Sequence, residues 1–138
     1  MPVKLPRKYR PSEKEPFMNA RQKEYFRRKL LSWRQELLSE TSETIQHLQE
    51  GGLQEADIAD RASLETDRSL ELRTRDRARK LIAKIDAALK RIEEGTYGFC
   101  EETDEPIGLR RLEARPIATL SIEAQERHER MERTRRDE

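Results

Sequence analysis

The residues that could do chemistry first draw attention in the stretch GTYGFCEETDEPIGLRRLEARPIATLSIEAQ, residues 95–125. Cys100 stands where a C-x2-C pair begins, Thr103 holds its partner's place, and Ser121 and Ala124 follow at the spacing of a second pair. Four thiolates at that spacing hold zinc tetrahedrally. Threonine, serine and alanine offer neither thiolate nor imidazole, and His47 and His128 lie off the pattern, so zinc is not expected here. Apolar packing under Phe99, Ile107, Leu112 and Leu120 is expected to close the segment instead. Cys100 then reads as a small buried hydrophobe rather than a reactive thiol.

Two further groups carry charge in a pattern. Asp57 and Asp60 are well suited to cap a helix; alternatively, they could present two carboxylates to a cationic or metal-bearing target, and spacing alone favours capping. Arg73, Arg75, Arg77, Arg79, Lys80 and Lys84, interrupted by Asp76, read as a solvated helix face. Arg110, Arg111 and Arg115 could clamp a phosphate bidentately or pair with Glu113. No nucleophile-base pair, glycine-rich phosphate loop or complete metal cluster accompanies them, so the chain is not expected to be an enzyme.

The elements that must position these groups follow from composition. With 41% charged against 33% apolar residues, the 138-residue chain is too poor in apolar content for a large core, and long solvated helices suit it best. Four prolines lie in residues 1–16, and none occurs between Phe17 and Glu105. The net charge of +1 is spread along the chain, without the basic excess of a protein that binds DNA through phosphates. One cysteine excludes an internal disulfide, and no apolar run suits a signal peptide or a membrane span, which points to a cytoplasmic protein.

Asn19, with Gln22 three residues on, forms a capping box that opens a helix. Its stripe runs through Phe26, Leu30, Trp33, Leu37, Thr41, Ile45 and Leu48, widened by Leu31 and Leu38, and ends near Gly51 and Gly52. A second stripe runs through Leu70, Thr74, Ala78, Leu81, Ile85, Ala88 and Ile92 to Gly95, with Ile82 and Leu89 beside it. Neither helix can bury its seam alone, so the two are expected to pair as an antiparallel coiled coil. Pairing 26 with 92, 33 with 85, 37 with 81 and 48 with 70 keeps one total, 118, which centres the turn on Ala59. The large apolar residues gather at the base of this seam and the small and polar ones toward its tip, which should be the loosely held end.

The fold class expected is therefore mainly α. Residues 1–18 form an extended tail packing near the globular part, residues 19–94 a coiled-coil hairpin with its tip near 52–62, and residues 95–138 a zinc-ribbon-like segment and a C-terminal helix. Within the last, Tyr97, Phe99, Ile107, Leu109 and Leu112 alternate with turn residues as in a short β-hairpin or irregular knot. Ser121 is placed to cap the final, highly charged helix, with Glu123 in its first turn.

The segments MNARQKEYFRRKLLSWRQEL, DIADRAS, SLELRTRDRARKLIAKI, YGFC and IGLRRLEARPIATL resemble, in this order, the DksA/TraR family of bacterial transcription factors. The resemblance covers about Tyr9 to Arg127. It implies a monomeric protein that binds RNA polymerase and inserts its hairpin through the secondary channel, changing promoter-complex stability without reading DNA sequence. Such proteins lower initiation at ribosomal RNA promoters and raise it at some amino-acid biosynthesis promoters, together with the stringent-response nucleotide ppGpp.

Carried over singly, the family's tip aspartates fall on Asp57 and Asp60 and its tip alanine on Ala62, which shifts the reading of the two acids from caps to groups acting near the polymerase centre. A functional arginine falls on Arg77. The ppGpp contacts fall on Leu81, Lys84 and Arg115, while a fourth contact, lysine in the family, is Gln125 here. Of four zinc positions only Cys100 keeps its ligand, which implies a member that does not need zinc. Two other readings stay open: a coiled-coil scaffold without tip chemistry, and a polymerase anti-arrest or fidelity factor.

Overall fold

The protein was analysed as a computed structural model that describes residues 3–54 and 61–137. Its regular structure is helical: α1 (Ala20–Gln54), α2 (Arg61–Glu94), α3 (Leu109–Ala114) and α4 (Ile122–Asp137). Among the described residues the only β feature is an isolated antiparallel bridge between Phe99 and Pro106.

The helix ends follow from local chemistry. Asn19 Oδ1 accepts the Gln22 N–H at 2.9 Å, which satisfies one orphan donor at the start of α1; Gln22 Oε1 reaches back one residue beyond the expected capping box to accept the Met18 N–H at 2.7 Å, because the Asn19 N–H is taken by Pro16 O. At its other end α1 passes the expected stop and continues to Gln54. A glycine stops a helix only when it turns left-handed; Gly51 does not, at an intrinsic cost of about 1 kcal/mol relative to alanine. Gly95 does turn, with φ 82°, and α2 ends there in a Schellman pair, Thr96 N–H to Arg91 O and Gly95 N–H to Ile92 O.

The chain divides into two compact units, one of Met1–Leu30 with Ala87–Glu138 and the other of Leu31–Asp86. In the first, Phe26, Leu30, Ala88, Tyr97, Leu112 and Ala124 are essentially inaccessible to solvent. Phe26 lies against Tyr97 with ring centroids 5.7 Å apart, and the Tyr97 hydroxyl donates to Pro116 O at 2.8 Å. The residues ahead of α1 belong to this packing: Gln22, fully buried, donates to Ser12 O, Tyr9 donates to Glu15, and Phe17 meets Phe99 edge-on. Gly98, at φ 89°, admits this approach; a Cβ there would stand 3.1 Å from Met18 Cε and 3.2 Å from Phe17 Cζ.

The segment after Gly95 is a hairpin-like turn followed by a short helix. Cys100 N–H bonds Glu105 O and Ile107 N–H bonds Gly98 O on either side of the Phe99–Pro106 bridge. Gly108, at φ 103°, then releases α3, whose Leu109 and Leu112 face inward. Ser121 caps α4 as expected, its hydroxyl accepting the Ala124 N–H at 3.2 Å, with Glu123 in the first turn.

In the second unit the two long helices run antiparallel. Arg34 pairs with Asp86 and Gln49 with Glu71, so one number rises as the other falls. Among its described residues only Ala78 and Ile85 are buried. Trp33, Leu37, Thr41, Ile45 and Leu48 are half-buried, whereas Leu31 and Leu38, expected to widen the stripe, are exposed. The seam is narrower than the sequence pattern suggests because only a two-helix contact is available to cover it.

Candidate functional site

Three of the residues expected at an interface come together on α2 in the Leu31–Asp86 unit. Arg77, Leu81 and Lys84 line one shallow concavity of about 350 Å³ with Arg73, Asp76 and Lys80. Their spacing puts them on one helix face. Asp76 is engaged by Arg79 at 2.6 Å and Lys80 at 3.0 Å, and hydrogen bonds from Lys80 and Arg79 hold its carboxyl below the usual range. No carboxylate among the described residues pairs with Arg77 or Lys84, so their charge is uncompensated. An anionic or acidic partner suits such a face. Arg77 and Leu81 also border a second concavity of about 440 Å³ beside Trp33, Leu37, Thr41 and Thr74.

Arg115 and Gln125 belong to the other unit. Arg115 follows α3, its backbone N–H bonded to Arg111 O at 2.7 Å and its side chain exposed. The three arginines of this segment differ in use. Arg110 is exposed, while Arg111 Nε donates to Leu120 O at 2.8 Å and braces the chain before α4. Glu113, an open choice as an arginine partner, is taken by Lys29, whose Nζ lies 2.6 Å from Glu113 Oε2 and 2.9 Å from Glu113 O. Burial works against the Glu113 charge, yet hydrogen bonds from Lys29 and Tyr25 hold its carboxyl below the ordinary range. Burial and the Glu113 carboxylate push the Tyr25 phenol up to about 12. Lys29 carried no sign of this role in the sequence, being one cation on a charged helix, 84 residues from its partner. Gln125 donates to Glu129 at 3.3 Å.

The four positions at zinc-finger spacing come together around Cys100. Cys100 is 1% exposed, as its reading as a buried residue requires, but its surroundings are polar. Burial opposes ionisation of the thiol; hydrogen bonds from the Thr103 side chain and from the backbone at Ser121, Thr103 and Glu102 outweigh it and take the thiol down to about 6. The sulfur thus sits buried, as expected, with donors from its own turn and from Ser121 around it. The donor set does not fit a four-thiolate zinc centre: one sulfur is present, the Ser121 hydroxyl is spent as a helix cap, Thr103 Oγ1 accepts the Glu105 N–H, and Ala124 contributes a buried methyl group. His128 pairs with Glu102 and joins α4 to the same turn.

Asp57 and Asp60 lie outside the described residues. Ala62, just beyond them, is exposed in the first turn of α2, and its carbonyl accepts the Thr66 hydroxyl.

Residues 22–92 match the family model of the DnaK suppressor protein DksA N-terminal domain, and residues 95–130 match that of the prokaryotic dksA/traR C4-type zinc finger. The chain is 69% identical over 130 residues to the RNA polymerase-binding transcription factor DksA of Caulobacter vibrioides, covering 94% of this chain and 92% of that one. Likeness to the Escherichia coli K12 protein of the same description is 46% over 115 residues, covering 83% and 76%. Among solved structures, that of transcription factor DksA2 from Pseudomonas aeruginosa superposes with a TM-score of 0.71 at 43% identity, covering 85% of this chain and 90% of that one.

Proposed function

The chain belongs to the DksA/TraR family, and from that premise we propose that it binds bacterial RNA polymerase in the cytoplasm and regulates transcription initiation. The observation that carries this reading is the 69% likeness, over 94% of the chain, to a protein described as an RNA polymerase-binding transcription factor. As a monomer it inserts its hairpin through the secondary channel, carries out no catalytic step of its own and does not read DNA sequence. Asp57 and Asp60 act near the polymerase centre and shorten the life of promoter complexes, lowering ribosomal RNA initiation and raising that of some amino-acid biosynthesis promoters.

The uncompensated cations support a phosphate-bearing co-regulator at the interface. Lys84 and Leu81 on α2 and Arg115 after α3 contact ppGpp, and Gln125 supplies a neutral side chain where a cation would bind phosphate more strongly. Regulation therefore proceeds without zinc, and with phosphate binding modestly weakened at Gln125. The donor chemistry at residues 100, 103, 121 and 124 supports the first point. Close to one zinc per chain after purification from metal-replete medium would refute it.

Transcription in vitro from a ribosomal promoter, with and without ppGpp, tests the whole reading. The wild type should inhibit, and Asp57→Asn with Asp60→Asn should abolish inhibition while leaving polymerase binding in place. Equal inhibition by the double variant would leave only a scaffold. Shortened transcripts in stalled complexes would instead mark an anti-arrest factor.

A further inference from the structure

We infer that Lys29 is a positioning residue for the basic edge at α3: it fixes the short helix so that Arg115 is presented to the polymerase. The positioning role rests on the proposed function; the brace itself does not. Helix α3 has only six residues, Leu109–Ala114, well below the length at which a helix holds itself together. Gly108 gives it no side-chain cap at its start. Its hold on the unit therefore comes from the buried Leu109 and Leu112, the Arg111 bond to Leu120 O, the Tyr25 bond to the Glu113 carboxyl, and Lys29.

The Lys29 contact differs from the others in reaching the backbone at the end of α3. A helix C-terminus leaves its last carbonyls unsatisfied and carries partial negative charge. The Arg115 N–H takes Arg111 O, and Lys29 Nζ takes Glu113 O, so the ammonium from α1 serves as the distal cap of α3. The same ammonium holds the Glu113 carboxylate and stands 6.0 Å from the centre of the Tyr25 ring. Both ends of the salt bridge are about one-third exposed, which keeps the contact partly sheltered from water. Arg115 begins two residues beyond Glu113, where the backbone leaves the helix at φ −141°. Its side chain has no ion-pair partner among the described residues, so its direction is set by the backbone that Lys29 pins.

Two measurements on the full-length protein separate the brace from its consequence. Hydrogen exchange resolves the brace: Lys29→Met keeps the apolar stem and should speed exchange at the Leu112 and Arg115 amides by roughly tenfold, while the Cys100 and Ala124 amides keep their rates and Lys29→Arg restores protection. Unchanged rates at Leu112 and Arg115 overturn the brace. Titration against bacterial RNA polymerase with ppGpp present resolves the positioning: Lys29→Met and Arg115→Ala should each weaken binding by roughly five- to tenfold, and the double variant no further than the weaker single one. Losses that multiply, or full-strength binding by Lys29→Met despite faster exchange, overturn the positioning. If the wild type does not bind polymerase, the proposed function fails and the positioning role with it, while exchange still decides the brace.

Discussion

The two units of this chain are built from the same long helices and hold themselves together differently. The Met1–Leu30 and Ala87–Glu138 unit buries Phe26, Leu30, Tyr97, Leu112 and Ala124, and joins residues far apart in sequence, as in Lys29 with Glu113 and Tyr97 with Pro116. In the Leu31–Asp86 unit only Ala78 and Ile85 are buried among the described residues, and side-chain bonds such as Arg34 with Asp86 join the two helices at exposed positions. One unit fixes backbone; the other spends its side chains on a charged exterior. Stability should therefore be concentrated in the first, while the second carries the unpaired Arg77 and Lys84 on a loosely buried seam.

The largest expected effect tests that division directly. Phe26→Ala empties a fully buried ring site and should cost about 3–5 kcal/mol in chemical denaturation. Leu70→Ala, at a residue 40% exposed in the other unit, should cost less than about 1.5 kcal/mol. Comparable losses would dissolve the contrast. A smaller pair of effects carries opposite signs. Gly98→Ala forces a side chain into φ 89° and against Met18 and Phe17, at a cost of about 1–2 kcal/mol or more. The same change at Gly51, inside α1 with nothing within 4 Å, should stabilise by about 0.5–1 kcal/mol. Melting temperatures moving the same way in both variants would show that Gly51 is not an ordinary helical residue.

The same contrast explains what could be read before the structure. Periodicity places the two long helices, because Phe26, Leu30, Ile85 and Ala88 recur at helical spacing and are buried. Capping chemistry places the starts of α1 and α4, because Asn19, Gln22 and Ser121 act within their own turns. Helix α3 is shorter than two turns, and Leu109 with Leu112 is too little pattern to separate a helix from a knot. The thiol of Cys100 is legible as buried, but its donors are the Thr103 side chain and backbone groups, among them that of Ser121, that only the fold brings together. Lys29 is the extreme case, since nothing in a lysine on a charged helix face announces a carbonyl 84 residues away.

The smallest expected effect sets one carboxylate from each unit side by side. Glu113 and Asp76 are both held below the ordinary carboxylate range, so each stabilises the fold in full above its unfolded value, 4.5 or 3.8, and loses that contribution as pH falls through the lower folded value. Their surroundings differ. Glu113 is about one-third exposed and tied to a lysine and a helix end, whereas Asp76 lies in open solvent between Arg79 and Lys80. Solvent and salt screen an exposed pair far more than a sheltered one. Acid unfolding of Glu113→Gln should thus show a shallower loss of stability below pH 4.5, worth less than about 1 kcal/mol, that persists in high salt. Asp76→Asn should show a shallower acid limb only in dilute buffer. If salt erases both differences equally, Lys29 and Glu113 form an ordinary surface pair, and the fixed unit owes its backbone order to apolar packing and to neutral bonds such as that of Tyr97 to Pro116 O.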